Sequence, residues 1–235
     1  MRCVEVVLTS AVSGNGDGTA VALDVLRATT TIVAAMENGA REIIPADGEG
    51  EAIGLMREAG DALLAGERDS WRPEGFDLGN SPLEFTEERV RGKKIVLTTT
   101  NGTRLLRRIA GHRRVLVGAL RNAAAVAGAI AAGDGNVRIF CAGRRGSECF
   151  EDNLAAGAIV SHLLEKGDCS LDGNAEMVLA LFLENKNVVR AAVMACEHGK
   201  RLVEKGFGED VDFCSRLNVS STVPVFDGKK IFVAD

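Results

Sequence analysis

The chain has 235 residues, 46% of them hydrophobic and 26% charged, with a formal net charge of −5 and a pI near 5.4. This is globular composition, enough for one large domain or two small ones. The acidic balance, the lack of a Lys/Arg block and the 4% aromatics with no Tyr exclude a basic, base-stacking nucleic-acid surface.

In chain order, the opening MRCVEVVLTS lacks the apolar core of a signal peptide. No later run approaches the roughly 20 apolar residues of a membrane span. A cytoplasmic protein with no membrane partner is expected. Residues 21–25, 42–45, 61–64, 94–98, 114–117 and 137–141 are short, mostly apolar and partly β-branched, as buried parallel strands are. Helical patterns lie between them at 30–38, 49–59, 102–109 and 122–132. The alternation indicates α/β architecture with a mainly parallel sheet and right-handed crossovers. The Ala/Gly-rich stretch 123–133 packs closely against something, inside the fold or across a homodimer. Segments 153–166 and 174–205 read as helical, the second breaking at Gly199 and around Asn185 and Asn187. The tail 211–233 reads as loop plus a hairpin at Asp227-Gly228. One domain over 1–235 is expected, with 206–235 as its C-terminal tail.

A weak repeat runs through this pattern. A shift of 72 residues lays Ala28-Thr29-Thr30-Thr31 on Thr100-Asn101-Gly102-Thr103, and a shift of 77 lays Ala65-Gly66-Glu67-Arg68 on Ala142-Gly143-Arg144-Arg145. Residues 21–82 and 94–155 are therefore candidate halves of a duplicated unit, with a pocket at their seam.

Polar residues crowd the strand ends, where parallel α/β proteins build their sites. Asp24 closes an apolar strand, well placed to bind a hard cation or act as nucleophile. Arg27 offers a fork for a phosphate or sulfonate. The plainer reading is a capping Asp paired with its own Arg. Thr100, Asn101 and Gly102 form an anion cradle before a helix, although Thr and Asn also serve as ordinary caps. Glu67, Arg68, Asp77 and Asn80 belong to a long polar loop, where function concentrates. Trp71 would anchor that loop.

The segment Cys141-Ala142-Gly143-Arg144-Arg145-Gly146 lacks a Walker pattern. Ser147 stands where a cysteine phosphatase needs Arg, so Cys141 reads as a small buried hydrophobe. Gly143 and Arg145 remain candidates for substrate contact. Glu151 and Asp152 are either a cation pair or favourable charge at a helix start. The six cysteines contain no C-x-x-C, which argues against zinc. His112, His162 and His198 read as surface or core residues.

The motifs DVLRATT, GER followed by GFDLGNSP, TTTNGT and CAG-x-x-G-x-x-x-x-ED, with Asp212, Cys214 and Val223-Pro224 in the tail, resemble the 2-phosphosulfolactate phosphatase (ComB-like) family over nearly the whole chain. The resemblance implies a three-layer α/β/α fold and a Mg²⁺-dependent phosphomonoester hydrolase of coenzyme M synthesis, acting on a small anionic phosphorylated substrate. On that basis Asp24 with Glu151 or Asp152 holds Mg²⁺, and Asn101 with nearby amides cradles the phosphoryl group. Arg68 or Arg145 grips the sulfonate or carboxylate, and Glu67 or Asp77 assists a water. A haloacid-dehalogenase-type phosphatase would need a second Asp where Leu26 stands. A non-catalytic binder of small anions, or a phosphatase for another hydroxy acid, is the alternative.

Overall fold

The computed structural model describes residues 1–9 and 15–234. Its ten strands are β1 (Arg2–Val7), β2 (Gly16–Leu23), β3 (Glu42–Ala46), β4 (Ala62–Gly66), β5 (Lys94–Thr98), β6 (His112–Gly118), β7 (Val137–Cys141), β8 (Cys169–Leu171), β9 (Pro224–Phe226) and β10 (Ile231–Val233). The helices are α1 (Ala28–Glu37), α2 (Glu49–Ala59), α3 (Glu87–Val90), α4 (Gly102–Arg108), α5 (Ala123–Ala131), α6 (Phe150–Leu164), α7 (Gly173–Asn185), α8 (Val189–Ala195), α9 (Glu197–Glu204) and α10 (Gly208–Cys214).

All ten strands join one sheet in the order β4-β5-β3-β10-β9-β6-β2-β7-β1-β8. Strand β2 shows why the sheet is covered on both faces. Its alternating residues divide, Val21 and Leu23 facing one core and Ala20 and Ala22 the other. The first core is filled by α5, α6 and α7 through residues such as Val126, Leu154, Ile159 and Val178. The second is filled by α1 and α4 through Ile32, Ala35, Leu105 and Leu106. Helix α2 covers β3, β4 and β5 through Ala52, Ala46, Leu64 and Val96. The result is a three-layer α/β/α fold with a mostly parallel sheet.

The order contains two all-parallel groups, β4-β5-β3 and β6-β2-β7-β1-β8. Between them lies the β9–β10 hairpin, antiparallel to both neighbours. Three antiparallel pairings in succession reverse the strand sense, so the groups run opposite ways. Sheet twist of about 20–25° per step adds up to about 100–125° over the five steps from β5 to β2. The groups therefore cross steeply, and their carboxyl ends meet at one corner. The contact there is so close that a Cβ on Gly102 would stand 2.5 Å from Ala28 Cβ and 2.9 Å from Asp24 Oδ2. Only glycine fits at that position.

Several elements differ from the sequence expectation. The segment Arg2–Val7 is a strand inside the sheet, and Cys169–Leu171 is a further one. Helix α6 starts at Phe150 rather than 153, which takes Glu151 and Asp152 into its first turn. The stretch 174–205 is three helices. Its second break falls at Cys196, whose ψ of 163° is extended, and Gly199 lies within α9. The tail contains the helix α10, and its hairpin sits in the middle of the sheet.

Candidate active site

A cavity of about 370 Å³ opens at the corner where β2, β4, β5 and β7 end. It is lined by Asp24, Arg27, Glu67, Arg68, Asn80, Thr100, Asn101, Arg144, Arg145 and His198, among others. Eight of the residues expected in a site from sequence are thus brought together. Their hydrogen bonds divide them into groups committed to the protein and groups left open.

The committed groups form the frame. Arg27 is buried, with Nη1 donating to Asp210 Oδ2 at 2.5 Å and Nη2 to Ser70 O at 2.6 Å, and its guanidinium lies 4.2 Å from the Phe207 ring centroid. The expected phosphate fork is therefore spent on holding α10 and the 66–82 loop to the β2–α1 turn. Asp210 also accepts from Ser81 Oγ at 2.6 Å. Glu67 Oε1 accepts from both the amide and the hydroxyl of Thr100, at 2.7 and 2.8 Å, and Oε2 accepts from Ser70 N at 2.9 Å. Both Glu67 and Thr100 are thus cross-links between two loops. Arg68 donates to Thr98 Oγ1 at 2.9 Å and stands 3.5 Å from Glu49 Oε1.

Asp152 is buried and accepts from Val25 N at 2.8 Å and Gly143 N at 3.2 Å, tying β2 to β7. Gly143 serves through that amide and through its left-handed backbone, φ 61°. Burial, then the Glu151 and Asp24 carboxylates, push the Asp152 carboxyl well up; the two amides partly offset this.

The open groups face the cavity. Asp24 Oδ1 accepts a 3.4 Å bond from Ala28 N, and Oδ2 has no partner among the described residues. Burial raises the Asp24 carboxyl to about 6; His198 pulls it down, and Glu67 and Glu151 push it up. Asn80 is buried, with Oδ1 unpartnered. Arg144 and Arg145 make no ion pair with a described residue, and the Asn101 side chain makes no hydrogen bond with one.

Asp77, expected in the site, and Cys141, expected to be a buried hydrophobe, lie elsewhere. Asp77 is exposed outside the cavity and accepts from Leu64 N at 2.8 Å, a brace for β4. Cys141 is fully buried in the core, its thiol held well up chiefly by burial. Trp71 packs on Phe207, with ring centroids 5.0 Å apart, and is otherwise exposed.

The sequence reading missed His198 and Asp210. His198 lines the cavity, and its Nδ1 donates to the buried Glu151 Oε1 at 2.8 Å. Cys196 Sγ lies 3.4 Å from Glu151 Oε2. Cys149 Sγ, a Glu151 oxygen and a His198 ring nitrogen lie within 4.8 Å of one another. A helix start at Cys196-Glu197-His198 was the available signal, hidden by placing the second break of 174–205 at Gly199.

The fold and this polar corner define a class, a three-layer α/β/α protein whose arginines, asparagines and one unpartnered carboxylate line a single pocket. A profile of the family described as 2-phosphosulpholactate phosphatase matches residues 7–229. Similar chains include those of Caldanaerobacter subterraneus subsp. tengcongensis, 41% identical with 87% of this chain and 86% of the relative covered, and Thermotoga petrophila, 40% identical with 88% of each covered. Another, from Clostridium acetobutylicum, is 34% identical with 91% of each covered. Each of the three is named a probable 2-phosphosulfolactate phosphatase. The chain belongs to the 2-phosphosulpholactate phosphatase family.

Proposed function

We propose that this chain hydrolyses 2-phosphosulfolactate to sulfolactate and phosphate, the reaction for which its relatives are named. The supporting observation is that Asp24, Asn80, Asn101, Arg144 and Arg145 address one cavity while their neighbours are tied into its walls. Such a substrate carries a phosphate, a sulfonate and a carboxylate. An acidic protein must gather positive charge locally to hold it, and Arg144 and Arg145 supply two open guanidinium groups for the non-reacting anions. Asn80 and Asn101 offer amide donors to the phosphoryl oxygens.

Phosphoryl transfer passes through a loose transition state, so positioning and charge matter more than covalent help. Magnesium binds through one or two carboxylates plus substrate phosphate. Asp24 fits that role through its open Oδ2, whereas Glu151 and Asp152 have their oxygens engaged by protein donors. Bound there, the cation would neutralise developing charge on the phosphoryl oxygens. Arg27 and Glu67 keep the β2–α1 turn, the 66–82 loop and the β5–α4 turn in register around the substrate. The magnesium dependence, a place in coenzyme M synthesis and a cytoplasmic location go with this reading.

The pocket would lie at the seam of two related halves. In support, exchanging β2 with β5, β3 with β6 and β4 with β7 turns the triplet β4-β5-β3 into β7-β2-β6, its mirror in the sheet order. Phosphate release from 2-phosphosulfolactate and from phosphoglycolate, with and without Mg²⁺, tests the function. Saturable turnover with preference for the sulfonated ester is expected. Tight binding of both without release would make the chain an anion sensor instead.

A further inference from the structure

We propose that Cys149, Glu151 and His198 form a site for a borderline divalent transition-metal ion of the zinc type, with one coordination position open to the cavity. This site is separate from the magnesium position at Asp24 and does not depend on the phosphatase reading.

The geometry comes first. The three ligand atoms lie within 4.8 Å of one another. The His198 Nδ1 to Glu151 Oε1 separation is 2.8 Å. Two nitrogen or oxygen ligands bonded at about 2.0–2.1 Å stand about 2.9–3.4 Å apart. His198 and Glu151 therefore already sit close to one edge of a coordination polyhedron, and the Cys149 thiol completes a triangular face.

The triangle is built from rigid parts. Cys149 caps α6 and Glu151 lies in its first turn, while His198 lies in the first turn of α9. The extended backbone at Cys196 breaks α8 from α9 and turns the start of α9 toward α6. Gly199 permits the sharp turn, since a Cβ there would stand 2.1 Å from Val193 O.

The donor types select the ion. One sulfur, one imidazole nitrogen and one carboxylate oxygen match the three-ligand, open-position arrangement of zinc centres. Magnesium prefers oxygen ligands in an octahedral shell. Softer N and S donors favour later first-row metals. The charge balance agrees. Glu151 is buried at 2% exposure, next to the buried Asp152, and both act electrostatically on Asp24. A dication among three such carboxylates offsets like charges that burial otherwise penalises. His198 lines the same cavity as Asp24, so the open position faces that cavity. Binding displaces the thiol proton to solvent and shifts the His198 Nδ1 proton to Nε2, which frees Nδ1 and Glu151 Oε1 of their mutual hydrogen bond to face the ion; it involves no redox change.

Cobalt titrated into the metal-free, full-length protein is the probe. One equivalent should bind, giving the visible bands of a four-coordinate ion and a near-ultraviolet thiolate-to-cobalt charge-transfer band. One equivalent of zinc should displace it, and millimolar magnesium should not. Cys149→Ser should remove the charge-transfer band, and Cys3→Ser should keep it. Since outer partners of metal ligands already cost 10–100-fold in affinity, His198→Ala should weaken binding by more than about 100-fold. Zinc X-ray absorption on the unaltered protein should count one sulfur scatterer, independently of how any variant folds. Absent stoichiometric cobalt, a charge-transfer band that survives Cys149→Ser, or a sulfur count of zero or two would overturn the assignment.

Discussion

The turns after β4 and β7 use the same backbone for different ends. Arg68 and Trp71 exchange amide bonds at 2.9 and 3.1 Å, and Arg144 and Ser147 do so at 2.8 and 3.0 Å. Both centres are left-handed, with φ 50° and 79° at Asp69 and Ser70, and 52° and 81° at Arg145 and Gly146. Each is thus a tight, type I′-like turn, one residue out of step with the Ala-Gly match in the sequence. The first is closed by its own chain. Glu67 holds Thr100 and Ser70, Arg68 holds Thr98, and Lys205 lies 3.2 Å from Asp69. The second carries two arginines with no ion pair among the described residues. One turn is bound into the frame, and the other leaves its arginines open to the cavity. A residue's partners, rather than its type, decide which it is.

Asp24 stands between the two turns and gives the largest expected effect. Asp24→Asn should lower kcat for the phosphate ester by about 10³-fold or more, about 4 kcal/mol; near-normal turnover would remove the centre of the comparison. The same change should stabilise the metal-free protein at neutral pH. The Asp24 carboxyl rises from 3.8 to about 6 on folding. A raised carboxyl favours the fold while protonated, so that contribution is complete below about pH 4 and lost as pH climbs through 6. The shift corresponds to about 3 kcal/mol. Denaturant titrations at pH 4 and 7 should show the unaltered chain losing more stability over that interval than Asp24→Asn does.

The strand ends were legible because parallel sheets advertise themselves locally. Short apolar runs such as 94–98 and 137–141 stop at polar turns, and those turns are the pocket. Strand β1 was not, because only Val4 and Val6 of Arg2–Val7 are buried and Arg2 and Glu5 break the apolar run. The start of α6 was ambiguous for a different reason. Glu51-like acidity in a first turn and acidity just before one obey the same charge rule, so Glu151 and Asp152 fit either place. Arg27 and Asp210 are 183 positions apart, and no local pattern links them. That contact converts an apparent phosphate ligand into a strut. The same holds for His198, whose meaning depends on Glu151 across the fold.

Removing an open arginine separates the turns next. Arg144→Ala and Arg145→Ala should each raise KM about 10–100-fold, the range of a lost charged hydrogen bond at about 1.5–3 kcal/mol, with little change in Tm. Glu67→Gln should behave the opposite way. Thr100 N, Thr100 Oγ1 and Ser70 N all donate to this buried carboxylate, and the amide keeps only one acceptor oxygen. A stability loss of about 1–2 kcal/mol is expected by denaturant titration. If Glu67→Gln left stability unchanged and raised KM alone, the first turn would be contact surface as well.

The smallest effect tests the backbone itself. Ser70 and Gly146 occupy matching left-handed positions, but only Ser70 carries the side-chain cost of that conformation. Ser70→Gly keeps the amide that reaches Glu67 and the carbonyl that accepts from Arg27, and it relieves strain. Gly146→Ala adds strain and nothing else, because a Cβ there meets no atom within 4 Å. The left-handed region costs a side chain about 1–2 kcal/mol, offset for Ser70→Gly by the greater freedom of an unfolded glycine. Ser70→Gly should therefore gain at most about 1 kcal/mol, and Gly146→Ala should lose about 1 kcal/mol, both read from urea midpoints. Opposite signs at matching positions mark one turn geometry under two sequences; equal signs would mean that the surroundings, not the turn, set the backbone.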